Sequence, residues 1–246
     1  MRAAGPSISA PPFPRKLPWI NAATLRMDQQ LGKVVLLEFW DFCRVNSLRT
    51  LPYLKAWHAR YADAGLRVIQ VHTGGFLPAR SEANVRRAVA RLEIEWPVVV
   101  DVDLEIWDIY GNEGWPARYV WDQSSLLHSL HYGEGAYLET ELEIQALLGV
   151  SLEPLAPVRP EDAPDALLAA PTPDQPGAYS GPYAAGGVWI VTEGTGEVVV
   201  DGTPVAISEP GCFEVVAHPR HTEAVLDLQV GDGVTVHATC FTPGLA

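Results

Sequence analysis

The pattern of apolar residues changes once along the chain, near residue 150, and this change constrains the fold more than any other feature. Before it, short apolar runs alternate with segments of helical period; after it, short β-prone runs follow one another with no helical segment between them. Strands separated by helices indicate a sheet covered by helices, whereas closely spaced strands indicate a sandwich or barrel. A chain of 246 residues can hold both. The sequence therefore predicts two domains of different class.

The first half predicts an α/β domain over residues 1–150 with the order β-α-β-α-β-α-β-β-α. Strands are expected over residues 33–40, 66–72, 97–101, 117–121 and 126–132. Helices are expected over residues 47–62, 81–92, 104–110 and 137–148. Ser81 is the expected N-cap of the second helix, because its hydroxyl can accept from a free backbone N–H.

The second half predicts a proline-rich linker or strap followed by a small all-β domain. Residues 151–187 contain eight prolines and show little periodicity. Beyond them, strands are expected over residues 188–192, 196–200, 203–207, 213–216, 224–230 and 234–241. The pair Asp201-Gly202 between two valine-rich runs indicates a tight hairpin. Residues 188–246 are thus expected to form a sandwich-like all-β domain.

Charge argues against two classes of partner. The chain has 17 basic and 30 acidic residues, a formal net charge of −13. Residues 151–246 hold only two basic residues, Arg159 and Arg220, against thirteen acidic ones, so this part alone carries 2 − 13 = −11. Nucleic acid and anionic membranes are therefore not expected as partners. A protein partner or ligand of the acidic β domain is an open alternative.

The expectations on localisation and cofactors rest on features that the sequence lacks. No run approaches the roughly 20 apolar residues of a membrane span, and the N-terminus does not resemble a secretory signal, so a soluble, cytoplasmic protein is expected. The three cysteines form no CxxC pair, and no cofactor or metal is expected. The weaker alternative is a metal site built from His218, His221 and Cys240, with Cys212 and His237 as further candidates.

Five stretches of the first half resemble a known family. They are GKVVLLEFW, LRTLPYLKAWHARYADAGLRVIQVHT, ANVRRAVARLEIEWPVVVD, YGNEGWPARYV and the HYGEG turn before the last helix. Over residues 12–149 they resemble, in order, the thioredoxin-like redoxins of the alkyl hydroperoxide reductase/thiol-specific antioxidant superfamily, most closely the soluble part of DipZ-type proteins. This resemblance implies a thioredoxin fold, an antioxidant-type thiol oxidoreductase activity, and a β-sandwich after the redoxin domain.

The sequence departs from this family at its paired cysteines. In the family, two cysteines two residues apart lie directly before LRTLP; those positions are Arg44 and Ser47 here. Dithiol–disulfide exchange needs a second thiol to resolve the mixed disulfide. Ordinary thioredoxin-type reductase activity is therefore not expected.

Cys43 is the one thiol left beside these positions. It is expected where a strand meets a helix N-terminus, and the helix dipole with Arg44 and Arg49 would favour the thiolate, whereas Asp41 would disfavour it. A lone thiolate suits a one-cysteine peroxidase or a monothiol sensor, because its attack on peroxide gives a sulfenic acid. The alternative is a small buried apolar residue that remains after the loss of the pair.

Glu38, Trp115 and Pro116 complete the candidate site. Glu38 interrupts an apolar strand, and the resemblance implies the buried proton acceptor beneath a thioredoxin dithiol; the alternative, slightly favoured, is a carboxylate paired with a nearby arginine. Trp115-Pro116 matches the family's cis-proline turn, which offers backbone groups to an extended thiol substrate. The tryptophan would narrow access to that turn.

Two hypotheses of different class follow. The leading one is an antioxidant-type thiol oxidoreductase or peroxidase that acts through Cys43 on a thiol or peroxide substrate, with reductant supplied from outside. The rival is a catalytically silent thioredoxin-fold scaffold whose acidic β domain binds a partner or ligand. Arg44 and Ser47 favour the rival, whereas Cys43, Glu38 and Pro116 favour the enzyme.

Overall fold

The structure, a computed structural model, describes residues 8–246. The expectation of no N-terminal leader rests partly on residues 1–7, which lie outside the described residues. The chain divides into two compact units. The first extends to Asp41 and continues over Asn46–Gly74 and Arg80–Ala156. The second comprises Pro157–Ala246 together with two short segments, Phe42–Val45 and Gly75–Ala79.

Over its described residues, the first unit contains six strands and four α-helices. The strands are β1 (Trp19–Ile20), β2 (Val34–Trp40), β3 (Leu66–His72), β4 (Val98–Val100), β5 (Ala117–Trp121) and β6 (Leu127–Tyr132). The helices are α1 (Val45–Tyr61), α2 (Glu82–Arg91), α3 (Glu105–Tyr110) and α4 (Tyr137–Leu148). The predicted order is confirmed, with one added strand, β1, whose two residues are too few to give a periodic signal.

The strands form one mixed sheet in the order β1-β4-β3-β2-β5-β6. β2, β3 and β4 are parallel, while β1, β5 and β6 pair antiparallel with their neighbours. All seven residues of β2 are buried, as its continuous apolar run predicts for a central strand covered on both faces. Because β2 and β3 are parallel, their carboxyl ends lie at the same edge of the sheet. Strand β5 runs antiparallel to β2 and begins at that edge.

Local signals set two of the helix boundaries. Ser81 is the N-cap of α2, and its side chain accepts from the backbone N–H of Asn84. Helix α3 ends at Tyr110, before Gly111. The expectation of a serine cap is confirmed.

Over Pro157–Ala246 the second unit is all-β apart from one short 3-10 turn, Pro160–Asp162. Its strands are β7 (Leu168–Ala169), β8 (Gln175–Pro176), β9 (Gly181–Gly194), β10 (Gly196–Val200), β11 (Thr203–Ile207), β12 (Gly211–Leu226), β13 (Leu228–Val230), β14 (Val234–Thr242) and β15 (Gly244–Leu245). They form antiparallel sheets in the orders β11-β10-β13, β12-β9-β14-β8 and β15-β7.

One apolar core joins the two larger sheets of this unit. Val198 and Ile207 from the three-stranded sheet pack with Val188, Ile190 and Phe241 from the four-stranded sheet. The predicted all-β class is confirmed, and the hairpin at Asp201-Gly202 lies between β10 and β11 with positive φ at both residues. The structure adds three two-residue strands, β7, β8 and β15, that no period could reveal.

The described residues include no helix that is long and apolar enough to cross a membrane.

Candidate thiol site and its buried surroundings

Cys43 lies on the short connection between β2 and α1. The chain leaves β2 at Trp40 and enters α1 at Val45, so the connection comes at the carboxyl edge of the parallel strands. Cys43 is 0% exposed, and its sulfur takes part in no disulfide with another described residue. A buried thiol there reacts only with reagents that reach it through an opening of the structure.

Arg44 and Ser47, which hold the positions of the family's two cysteines, make different interactions. The guanidinium of Arg44 lies 5.1 Å from the ring centroid of Phe76. Ser47 is buried, and its Oγ accepts a 3.2 Å hydrogen bond from the backbone N–H of Asp41. Ser47 thus binds the end of β2 to the first turn of α1, a positioning contact rather than a redox one.

Arg49 belongs to an ion pair of its own. Its Nε donates to Oε1 of Glu134 at 2.6 Å, and the arginine side chain is only 9% exposed. Glu134 is part of the HYGEG turn that resembles the family. The counter-charge reduces the positive potential that Arg49 projects toward the start of α1.

Trp115 and Pro116 form a cis peptide bond directly before β5. Because Ala117 pairs with Phe39, this turn comes at the same edge of the sheet at which β2 ends. Trp115 Nε1 donates to Thr73 Oγ1 at 2.7 Å, and its ring lies 4.4 Å from that of Trp107. Trp115 is therefore held by Thr73, which follows β3, and by Trp107 of α3.

Glu38 is fully buried in the middle of β2. Its Oε2 accepts from Gln70 Nε2 at 2.6 Å, and Gln70 Oε1 accepts from Trp96 Nε1 at 2.9 Å. Burial raises the pKa of Glu38 to about 7, while Gln70 and the charge of Arg118 lower it less. The sequence slightly favours a carboxylate paired with a nearby arginine; Arg118 lies opposite Glu38 on β5, but among the described residues no hydrogen bond or salt bridge joins the two side chains.

Sequence reasoning missed Gln70, Arg118 and Thr73. Gln70 and Arg118 are polar residues inside apolar strands, the same signal that singled out Glu38. Thr73 follows β3 and is 0% exposed. His72, at the end of β3, is also buried, and burial lowers its pKa to about 3, so its imidazole is neutral at physiological pH.

The cysteines and histidines of the second unit are not gathered at one point. His218 Nε2 contacts Tyr183 Oη at 2.8 Å, and His237 Nε2 contacts Glu193 Oε2 at 2.9 Å. Within residues 8–246, no group of three or more His, Cys, Asp or Glu side chains could hold a metal ion. Burial and Asp174 raise the pKa of the Cys240 thiol to about 12.

Cys212 and Cys240 lie on strands separated by β9. Cys212 pairs with Val191, whereas Cys240 pairs with Trp189 on the other side of β9. Two strand spacings amount to about 10 Å, and a disulfide requires Cα atoms within about 7 Å. The two thiols therefore cannot form a disulfide in this fold.

The sheet order, the helix after β2 and the cis proline before β5 define the first unit as a thioredoxin-like redoxin domain. Within that class the chain is a redoxin related to DipZ. It is 33% identical over 159 residues to Protein DipZ of Mycobacterium tuberculosis, a match that covers 61% of this chain and 23% of DipZ. The chain thus matches less than a quarter of the length of that relative. No family model matches the chain.

Two further comparisons agree with the class. The chain is 26% identical over 131 residues to the thiol-disulfide oxidoreductase YkuV of Bacillus subtilis, covering 53% of this chain and 87% of YkuV. The crystal structure of a thioredoxin-like superfamily protein superposes with a TM-score of 0.53 at 23% identity, covering 59% of this chain and 99% of that one. These comparisons place the first unit in the thioredoxin-like class.

Proposed function

We propose that the chain is a monothiol redox protein of the thioredoxin class that acts through Cys43. The carrying observation is topological: Cys43 is the thiol on the connection from β2 to α1, at the sheet edge where the cis Trp115–Pro116 bond also lies. The relative YkuV is named a thiol-disulfide oxidoreductase. Arg44 and Ser47 remove the pair that such exchange uses, which leaves reactions that need one sulfur.

Peroxide reduction is the reaction that fits a single thiol. The Cys43 thiolate attacks one oxygen of ROOH, the O–O bond breaks, and the products after protonation are a sulfenic acid and ROH. One low-molecular-weight thiol then forms a mixed disulfide with release of water, and a second thiol restores Cys43 and leaves as a disulfide. This antioxidant activity, as in the alkyl hydroperoxide reductase/thiol-specific antioxidant superfamily, needs a reducing compartment, and we place the chain in the cytoplasm.

Burial of Cys43 bears on the choice of substrate. A side chain that is 0% exposed is reached more easily by a small peroxide than by a protein disulfide, because a smaller opening suffices. We expect Trp115, whose ring packs against Trp107, to narrow access to the cis-proline turn. We therefore propose hydrogen peroxide or a small organic hydroperoxide rather than a protein disulfide.

The second candidate function is a redox-silent scaffold, and the same burial favours it. If Cys43 never becomes accessible, the first unit performs no redox chemistry and the function lies in residues 188–246, which we propose form a separate domain after the strap over residues 151–187. With a net charge of −11 over residues 151–246, a basic protein surface is the partner that charge favours.

Alkylation separates the two functions. We expect limiting maleimide to label Cys43 in the folded protein before Cys212 and Cys240, as read by peptide mass spectrometry. Cys43→Ser should abolish peroxide consumption in the presence of added thiol, while the control Cys212→Ser should retain it. Labelling of Cys43 only in denaturant, with no peroxide consumption above free thiol, would establish the silent scaffold. In either case insulin reduction should stay at the background of free thiol.

A further inference from the structure

Two opposite charges face each other inside the first unit without touching. Glu38 and Arg118 are opposed residues of the adjacent antiparallel strands β2 and β5, and they are 0% and 1% exposed. Opposed residues have Cβ atoms about 5 Å apart. Even so, Glu38 Oε1 and Arg118 Nε and Nη1 have no hydrogen-bond partner among the described residues.

A third polar group without a partner lies on the same face of the sheet. The Arg118 guanidinium is 5.9 Å from the ring centroid of Trp57 on α1 and 5.1 Å from that of Tyr137 on α4. Trp57 is fully buried, and its Nε1 likewise has no partner within the described residues. The remaining polar atoms are accounted for: Glu38 Oε2 accepts from Gln70, and Arg118 Nη2 donates to the carbonyl oxygen of Gly135.

Leaving these atoms dry would be costly. A buried polar group without a hydrogen bond is strongly disfavoured, and a charged one is disfavoured more. Above the pKa of Glu38, which is about 7, the charges of the carboxylate and the guanidinium cancel, so no net charge remains for a bound ion to balance. The ligand that fits is therefore neutral and small, and it both accepts and donates hydrogen bonds.

From this geometry we infer that the space between Glu38 and Arg118 binds a water molecule. The water oxygen accepts from Arg118 Nη1 or Nε and from Trp57 Nε1, and one of its hydrogens is donated to Glu38 Oε1. Buried waters typically make about three hydrogen bonds to polar groups that the protein leaves unpaired, which matches this set. The bridge gives Glu38 a role that requires no thiol: it keeps a buried arginine solvated beneath the Gly135 turn.

A crystal structure of the full chain at a resolution that orders internal water tests the inference. We expect one ordered water within hydrogen-bonding distance of both Glu38 Oε1 and an Arg118 nitrogen. In solution, the Arg118 Nε–H resonance should show a dipolar cross-peak to a long-lived water. A direct Glu38–Arg118 contact, or well-defined density with no water between them, would overturn the inference.

Two variants of Glu38 give a matched comparison. In Glu38→Gln the one amide oxygen accepts from Gln70 Nε2, so the amide nitrogen replaces Oε1 and cannot accept from the water, while Glu38→Met removes both oxygens; both variants should lose the water cross-peak. If Glu38→Met does not fold, the nearly isosteric Glu38→Gln decides, because it keeps the acceptor of Gln70 and removes only the acceptor of the water; a cross-peak in this variant equal to that of wild type contradicts the bridge. Equal cross-peaks in Glu38→Met and wild type would show that the water, if present, does not bridge Glu38.

Discussion

Trp115 and Thr73 form a side-chain hydrogen bond that joins the loop before the cis peptide bond to the end of β3. The indole Nε1 donates to Thr73 Oγ1 at 2.7 Å, and Thr73 is 0% exposed. Since β3 lies between β4 and β2 in the sheet, this bond fixes the loop to the end of an interior strand. The bond fixes the position of the cis Trp115–Pro116 turn, and no cysteine takes part in it.

Thr73→Val tests the strength of this bond. Valine has the shape of threonine but no acceptor, so the indole N–H loses its partner, and we expect unfolding free energy to fall by about 1–2 kcal/mol. Urea unfolding of wild type, Thr73→Val, Trp115→Phe and the double variant gives the coupling energy, for which we expect about 1 kcal/mol. Full additivity of the two single variants would contradict the bond.

The sequence could predict the strands and helices of the first unit because their signals are local. Leu66–His72, Ala117–Trp121 and Tyr137–Leu148 begin and end at the predicted residues. Each is a run of one period bounded by glycine, proline or polar residues, and nothing distant decides its limits. The candidate site residues around Cys43 came instead from the resemblance, and their roles stay predictions.

The features that the sequence could not predict depend on contacts between distant parts of the chain. Strand β9 begins at Gly181 rather than 188, because a stretch rich in glycine and alanine carries no strand signal but pairs along β12. Strand β12 continues through Pro219, and the pairing register shifts between Ala217 and Thr222 to accommodate this. Arg118 faces Glu38 through strand pairing across 80 residues, which no local pattern encodes.

Glu38 and His72 should give opposite pH dependences of stability. Burial raises the pKa of Glu38 from 4.5 to about 7, so the unfolded chain releases this proton first and stability falls as pH rises from 4.5 to 7. Burial lowers the pKa of His72 from 6.5 to about 3, so the unfolded chain binds a proton first and stability falls as pH drops from 6.5 toward 3.

Between pH 4.5 and 6.5 the two contributions oppose each other, so a shallow net dependence is expected from this pair. Glu38→Gln should leave the His72 contribution alone, and the unfolding free energy should then rise by up to about 1.4 kcal/mol per pH unit across that window. Urea titrations at several pH values from 4 to 8 measure it. A pH profile for Glu38→Gln that parallels wild type would show that Glu38 does not titrate in this window.

Glu141 should be a main stabilising residue at the end of the first unit. It is 2% exposed; its Oε1 accepts from Tyr61 Oη at 2.5 Å and from Arg60 Nη1 at 2.8 Å, while Oε2 accepts from the backbone N–H of Leu155 at 2.8 Å. Glu141→Gln replaces one acceptor oxygen with a donor, and we expect a loss of about 2–3 kcal/mol. Limited proteolysis near Leu155 should accelerate as well.

Glu153→Gln is the control for Glu141→Gln. Arg60 Nη2 contacts only the backbone oxygen of Glu153, at 2.5 Å, and this side chain is exposed. The unfolding free energy of Glu153→Gln should match that of wild type within about 0.5 kcal/mol. Its rate of proteolysis near Leu155 should also match. Equal effects of the two substitutions would mean that overall charge, rather than the buried acceptor, sets the stability here.

The turn between β9 and β10 should tolerate no side chain at Gly194. Its φ is +88°, and a Cβ there would lie 2.0 Å from the backbone oxygen of Gly233, which side-chain rotation cannot relieve. Gly202, in the hairpin between β10 and β11, has φ +79°, and a Cβ added to it would meet no atom within 4 Å, so it provides a matched control. Both substitutions by alanine incur the left-handed cost of about 1–2 kcal/mol, but only Gly194→Ala adds a clash with backbone.

We therefore expect Gly202→Ala to lower the unfolding free energy of the second unit by about 1–2 kcal/mol, and Gly194→Ala to lower it by more than about 4 kcal/mol or prevent its folding. Trp189 is the only tryptophan after Trp121. In a chain whose other seven tryptophans are replaced by phenylalanine, its fluorescence would report on the unfolding of this unit. The reference is the same chain with glycine at both 194 and 202. Native proteolysis of the otherwise unchanged variants provides a second readout. Similar losses for the two variants would mean that β9 and β14 do not approach as closely as Gly194 and Gly233 indicate, because the backbone clash is what distinguishes them.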